Sequence, residues 1–86
     1  MRTISPPINQ PIQVTMDKSS IMPSSFVWRG KAYRVLKVQE YWRLIDAWWD
    51  GVGEKTFFRV ECQNCSVFEI MFDHQKKKWL LARVED

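Results

Sequence analysis

From Phe26 onward, apolar and polar residues alternate along the chain, as they do in β-strands that bury one side. The alternation is clearest over 56–62, where even-numbered positions form one face and odd-numbered positions the other. It returns over 66–72 and 78–84, with a two-residue turn predicted at 63–64 and another before the last strand. Strands joined by short turns at this spacing predict an antiparallel meander.

The segment that precedes this meander is rich in aromatic and β-branched residues. We predict a short strand over 26–28 and a tight turn over 29–31, because Gly30 tolerates a positive φ. A longer strand then extends from Lys31 to about Leu44.

Residues 40–49 are ambiguous between strand and helix, because their apolar residues also fit the i, i+3, i+4 spacing of a helix. No capping residue precedes this short stretch, so a strand that runs into a loop is favoured. An Asp-Gly pair and a second glycine predict a turn over 50–54.

Residues 1–25 differ in composition from the rest of the chain. All four prolines lie there, and proline removes a backbone donor and restricts φ. Only 12–16 alternates as a strand does. We therefore predict an irregular arm over 1–25 with one short strand at a sheet edge, followed by a small β domain over 26–86.

The length of 86 residues accommodates one domain with a small core. Five or six strands with almost no helix must curl to bury one face of their sheet. The predicted fold is therefore all-β: a single antiparallel meander curled into a barrel or half-barrel. No apolar run approaches the roughly 20 residues that span a membrane, and no secretory signal opens the chain, so a cytoplasmic protein is expected.

The formal net charge of +3 is mild, but its distribution is uneven. Between Trp28 and Arg43 a single acid, Glu40, stands among five cations, which are Arg29, Lys31, Arg34, Lys37 and Arg43. Such a pattern could make one face of the sheet positive. The alternative is a set of solvent-facing residues on alternating strand positions.

Two cysteines and one histidine are the candidates for reactive chemistry. Cys62 and Cys65 form a single CxxC pair, and with His74 they supply too few ligands for a structural zinc site. Three interpretations of the cysteines stay open: they are incidental turn residues, metal ligands completed by a partner subunit, or a redox-linked pair. With no paired carboxylates, nucleophile–base pair or phosphate-binding loop, we predict no enzyme, no metal site and no cofactor.

Aromatic residues interleaved with arginines are the remaining signal. Single-stranded nucleic acid is bound by aromatic rings that stack on bases and by cations that contact phosphates. A small domain also needs large rings for its core, and Trp28, Trp42 and Trp79 are assigned there. Adjacent strand residues point to opposite faces, so one ring of the Trp48–Trp49 pair is expected to point outward. The predicted binding residues are Trp48, Trp49, Arg29, Arg34 and Arg43.

The chain also resembles a known family through a series of spaced residues. They are Phe26, Trp28, Arg29, Gly30, Tyr33, Val35, Trp42, Arg43, Trp48, Trp49, Phe57, Phe58, Arg59, Val60, Phe68, Glu69, Ile70, Trp79, Leu81, Arg83, Val84 and Asp86. In this order they look like a small bacterial domain of unknown function that occurs alone and beside, or at the tail of, ImuB-like proteins. Those proteins are inactive relatives of Y-family DNA polymerases in damage-induced mutagenesis cassettes. The resemblance implies a DNA-repair neighbourhood by association and transfers no site residue.

The sequence therefore predicts a non-enzymatic accessory interaction module. Its partner would be single-stranded nucleic acid or a DNA-repair protein, bound through an aromatic-basic face. The alternative is a structural β domain that self-associates through an exposed strand edge or aromatic patch and has no ligand of its own.

Overall fold

The computed structural model describes residues 8–19, 21–48, 51–63 and 65–85. They form one antiparallel sheet of seven strands, curled into a half-barrel and without helices, which confirms the predicted fold class. The strands are β1 (Gln10–Pro11), β2 (Gln13–Met16), β3 (Pro23–Trp28), β4 (Lys31–Trp48), β5 (Gly51–Cys62), β6 (Val67–Asp73) and β7 (Lys78–Glu85). The described residues include no helix with the length and apolar character needed to cross a membrane.

The N-terminal segment reaches both edges of the sheet. The strand order is β1-β7-β6-β5-β4-β3-β2, so β1 borders β7 at one edge and β2 borders β3 at the other. Ile12 alone separates β1 from β2 and is buried, with 8% of its surface exposed. One short strand was predicted for this segment, at one edge of the sheet. The structure has two strands there, and they lie at opposite edges.

The core lies on the concave side of the sheet. Its buried members are Ile12, Phe26, Phe58, Val60, Cys62, Phe68, Ile70 and Leu81. Trp28 and Trp79 pack against this cluster, as predicted. Trp42 does not: it lies on the convex side, stacked on Phe57 with ring centroids 5.4 Å apart. Strand alternation explains this correction, because Tyr41 faces Phe58 on the concave side and so directs Trp42 to the other.

Two bulges adjust which residues of β4 face the core. The register of β4 against β5 shifts between Val35 and Lys37 and again between Val38 and Glu40. Each shift adds one unpaired residue and so reverses the alternation. Val38 therefore packs against the core, while Lys37 and Gln39 point outward.

Over 40–48 the ambiguity is resolved as strand, because β4 continues to Trp48 and pairs with β5 without a further register shift; Trp49 lies outside the described residues. The predicted turn over 50–54 is wrong for 51–54, since β5 begins at Gly51 and Gly53 pairs with Asp46. Glycine accepts extended backbone as well as turns, so its presence alone did not locate the turn.

The connection between β5 and β6 is longer than the two residues predicted. The backbone N–H of Cys62 donates to the carbonyl of Ser66, and that of Cys65 to the carbonyl of Cys62. Cys65 has φ of 66°, which is the left-handed conformation typical at the end of a three-residue hairpin loop. Asn64, one of the two predicted turn residues, lies outside the described residues.

Candidate functional site

The hairpin between β3 and β4 places several cations beside aromatic rings. Trp28 pairs with Lys31, which leaves Arg29 and Gly30 as a two-residue turn, one residue shorter than the turn predicted over 29–31. Both have positive φ, 55° and 74°, which is the type I′ geometry that matches the twist of the two strands. Gly30 suits this turn, whereas Arg29 adopts a conformation that residues with a Cβ avoid. The turn therefore accepts a strained residue at the tip of the hairpin.

Two of the cations lie over aromatic rings. The Arg29 guanidinium carbon is 4.5 Å from the centroid of the Trp28 ring, and the Lys31 ammonium nitrogen is 5.4 Å from that of Tyr33. Both distances fall within the range of a cation–π contact. We name the set Trp28, Arg29, Lys31, Tyr33 and Arg34 the basic hairpin.

The rings of the basic hairpin are themselves held by the core. The Trp28 indole N–H donates to Oε1 of Gln10 at 2.7 Å. Tyr33 stacks on Phe26 with centroids 5.1 Å apart, and Phe26 is fully buried. The cations are therefore positioned by rigid rings, which lowers the entropy that a ligand would have to remove.

Among the described residues, no carboxylate forms an ion pair with these cations. In the part of the chain that the structure describes, no ion pair involves Arg29, Lys31 or Arg34. Other arginines are paired: Arg43 with Glu54, Arg59 with Glu40 and Glu85, and Arg83 with Glu69. The basic hairpin therefore carries an uncompensated positive charge, which favours an anionic ligand.

A shallow cavity of about 250 Å³ adjoins the basic hairpin. Its lining residues are Lys31, Ala32, Tyr33, Arg34, Cys62 and Gln63. The backbone N–H of Gln63 donates to the carbonyl of Arg34 at 3.1 Å and so holds the end of β5 against β4. The cavity is smaller than the roughly 300–1,000 Å³ typical of small-molecule sites. Its size suits a phosphate or one base better than a cofactor.

The Cys62 thiol, which lines this cavity, has low reactivity. Burial raises its pKa to about 11, so the thiol is protonated at neutral pH and is a weak nucleophile. Cys62 is buried and Cys65 exposed, and both are free thiols, so the structure contains no disulfide between them. Among the described residues, no three His, Cys, Asp or Glu side chains are grouped as metal ligands.

His74 is part of a polar cluster away from the basic hairpin. Its Nε2 lies 2.7 Å from the Thr56 hydroxyl and 3.9 Å from Oε2 of Glu54, which also binds Arg43. Both partners lie next to Nε2 of His74. The Glu54 carboxylate therefore does not hold the ring through Nδ1, the other ring nitrogen. This arrangement differs from a nucleophile–base–acid relay.

The structure separates the predicted binding residues into two groups. Arg29 and Arg34 lie in one hairpin, but only Arg34 lines the cavity. Arg43 lies nine residues beyond Arg34 on the same strand, about 30 Å away by the rise of a strand. The backbone of Trp48 pairs with Gly51 at the end of β4, but its side chain lies outside the described part, as does all of Trp49.

Three residues of this region, Lys31, Tyr33 and Gln63, were not in the final set of predicted binding residues. Lys31 and Tyr33 could have been found, because the turn at Arg29–Gly30 and strand alternation place them on the side of Trp28. Gln63 could not, since only the tertiary contact with Arg34 brings it to the cavity.

Comparison with known proteins identifies one family. No curated protein matches the chain. No solved structure matches it either. The family described as "Domain of unknown function (DUF6504)" matches residues 2–86, which is nearly the whole chain and includes the N-terminal segment. The chain therefore belongs to the DUF6504 family.

Proposed function

We propose that this domain is a non-enzymatic, cytoplasmic accessory module that binds single-stranded nucleic acid through the basic hairpin. The observation that carries the proposal is the group of three cations that form no ion pair within the described part of the chain, two of them held over aromatic rings. Phosphodiesters are anions that such closely spaced cations fit, since each phosphate carries one charge.

The chemistry of the site favours contacts with phosphates over deep base recognition. The Trp28 and Tyr33 rings are half-buried, and their exposed sides are covered by Arg29 and Lys31. A guanidinium plane held on a ring can stack on a base while its N–H groups contact phosphate. The small cavity beside Arg34 would accept one phosphate or base. We therefore expect weak sequence preference and strong dependence on salt.

The cellular setting is proposed from the sequence resemblance. The chain resembles a domain that occurs beside ImuB-like proteins, which implies a DNA-repair neighbourhood by association. The competing hypothesis is that a DNA-repair protein is the direct partner. The binding experiment distinguishes the two.

The test is a fluorescence anisotropy titration with labelled oligothymidine between about 50 and 200 mM salt. Three phosphate contacts predict that log K falls with log [salt] with a slope of about −2, since each contact with a single strand contributes about −0.7. Replacing Lys31 or Arg34 by alanine should weaken binding roughly five- to tenfold at the lowest salt and make the slope shallower by about 0.7.

Lys76→Ala provides the matched control, because Lys76 is exposed on the turn between β6 and β7 and its loss changes the net charge equally. We expect little change in its affinity. Equal weakening by Lys76→Ala would assign binding to net charge alone. No binding of the unmodified protein at low salt would reject nucleic acid as the ligand and leave a protein partner.

Arg29→Asn separates binding from folding. Asparagine is preferred over arginine in a type I′ turn, whereas the loss of the contact with Trp28 costs about 0.5 kcal/mol at an exposed site. These effects oppose each other, so stability should change by less than about 0.5 kcal/mol while affinity falls roughly fivefold or more. Retained affinity in this variant would remove Arg29 from the site.

A further inference from the structure

The second half of β4 is an unpaired edge. Strand β3 pairs with β4 only from Lys31 to Arg34, whereas β5 pairs with it from Val35 to Trp48. From Val35 onward, one side of β4 therefore has no neighbouring strand among the described residues. This is the longest such edge that the structure describes, and unpaired strand edges can pair with another chain.

This edge is apolar on both faces. Tyr41 and Ile45 share the concave side, and Trp42 and Leu44 share the convex side. Tyr41 is 57% exposed, Leu44 48% and Ile45 61%. Strands with apolar residues on both faces are typical of the interior of a sheet, where both faces are covered. The pattern of β4 is thus that of a central strand in an edge position.

The regular part of the edge lies where the apolar residues are. Both bulges of β4 occur before Glu40, and from Glu40 to Trp48 the register against β5 is unbroken. Bulges and charges are the usual protection of exposed edges. Here the bulges protect only the first part, so the segment 40–48 is left open to pairing.

The charges on this segment do not oppose a second copy. Of the described side chains over 40–45, only Glu40 and Arg43 are charged, and each is already paired within its own chain. The Glu40 carboxylate is 2.9 Å from Arg59, and Arg43 binds Glu54. Over 40–45, two copies of the edge can therefore approach each other without repulsion between unpaired like charges.

We infer that this chain forms a homodimer in which the β4 edges of two copies pair antiparallel over 40–48. A two-fold axis perpendicular to the sheet joins equivalent faces, so each apolar face continues into the same face of the other copy. This self-complementarity favours a second copy over an unrelated strand. Because each copy uses its longest open edge, assembly stops at two. The inference is independent of the nucleic-acid site.

The first measurement is sedimentation velocity over a range of concentrations. The unmodified protein should show twice the chain mass of 10.3 kDa. Ile45→Lys places a charge on the paired edge and should weaken association at least tenfold. Ile21→Lys makes the same chemical change at a residue that is 89% exposed outside the edge, and it should leave the dimer intact. Circular dichroism confirms that both variants remain folded.

Amide hydrogen exchange tests the edge without any substitution. In the dimer, backbone N–H groups within 40–48 that point away from β5 become bonded, so their exchange should slow as concentration rises. A monomer at all concentrations, or equal loss of the dimer in both lysine variants, would overturn the inference. So would a dimer whose 40–48 amides exchange at the same rate at all concentrations.

Discussion

Two cysteines three positions apart have different environments. Cys62 ends β5 with its side chain in the core and 1% exposed, whereas Cys65 lies exposed in the loop that follows. The sequence left the role of the pair open because the CxxC spacing fits a turn, a metal site or a redox pair equally. What separates these roles is the direction of each side chain, which depends on the register of β5 and on a third loop residue. Neither is visible in the spacing itself.

The raised pKa of Cys62 makes folding stability depend on pH. In the folded protein this pKa is about 11, above the ordinary value of 9.0. As pH rises from about 9 to 11, the unfolded chain releases the proton first, so the free energy of unfolding decreases. Denaturant titrations should show this decrease in the unmodified protein and in Cys65→Ser, but a smaller one in Cys62→Ala. Equal slopes for the two variants would contradict the burial of the thiol.

Chemical labelling checks the same pair at neutral pH. Iodoacetamide should modify Cys65 within minutes and spare Cys62, because a buried, protonated thiol reacts slowly. Mass spectrometry of peptides would show the label, and Cys65→Ser should stay unlabelled.

Ion pairs on the convex side join strands that are distant in sequence. Arg59 of β5 donates from Nε to Glu85 of β7 at 2.7 Å and from Nη1 to Glu40 of β4 at 2.9 Å. The hydrogen bond to Glu85 is the main cause that raises the pKa of Arg59. One side chain thus connects three strands, on the side opposite the core.

Removing Arg59 should destabilise the sheet modestly. Arg59→Gln breaks both pairs and leaves Glu40, Glu69 and Glu85 without that positive charge. Partly exposed pairs contribute up to about 1 kcal/mol each, so we expect a loss of about 1–2 kcal/mol, smaller at high salt. Arg34→Gln, which breaks no ion pair, should leave stability nearly unchanged. Equal stability of Arg59→Gln and the unmodified protein would show that the network contributes nothing.

Some strands could be predicted more accurately than others. The Arg29-Gly30 turn and the strand 56–62 follow from local pattern, and the structure confirms both. The turn predicted over 50–54 is wrong for 51–54, because glycines are compatible with a strand when a long hairpin partner continues beside them. The convex position of Trp42 also depends on the strand register, which a count of apolar residues does not provide.

The half-barrel is completed by the N-terminal segment, most of which was predicted to be irregular. Composition and alternation were enough to predict an all-β, curled sheet. They could not predict that residues 10–16 border both edges, since the partners of that segment lie in β7 and β3. The two arginines of the basic hairpin were predicted as binding residues, but their lack of acidic partners is a tertiary property.

A substitution at Ile12 tests whether the N-terminal segment is part of the core. It is buried between β1 and β2, and its backbone N–H donates to the carbonyl of Trp79 at 3.2 Å. Ile12→Ala should cost about 2–4 kcal/mol in the free energy of unfolding, as is usual for a buried isoleucine. Ile21→Ala, at an exposed position, should change stability by less than about 0.5 kcal/mol. Similar effects of the two substitutions would mean that the segment is not integral to the core.

The position of β1 and β2 also determines when the domain can fold. Gln10 pairs with Leu81 and Gln13 with Val27, so one short segment joins partners from the two ends of the chain. The hairpins from β3 to β7 are local and can form early, whereas the contact between β1 and β7 requires a closure across most of the sequence. During synthesis, the first strand must wait unpaired until the last has left the ribosome. The pairing of β1 with β7 should therefore be the last step in the assembly of the sheet, after the local hairpins have formed.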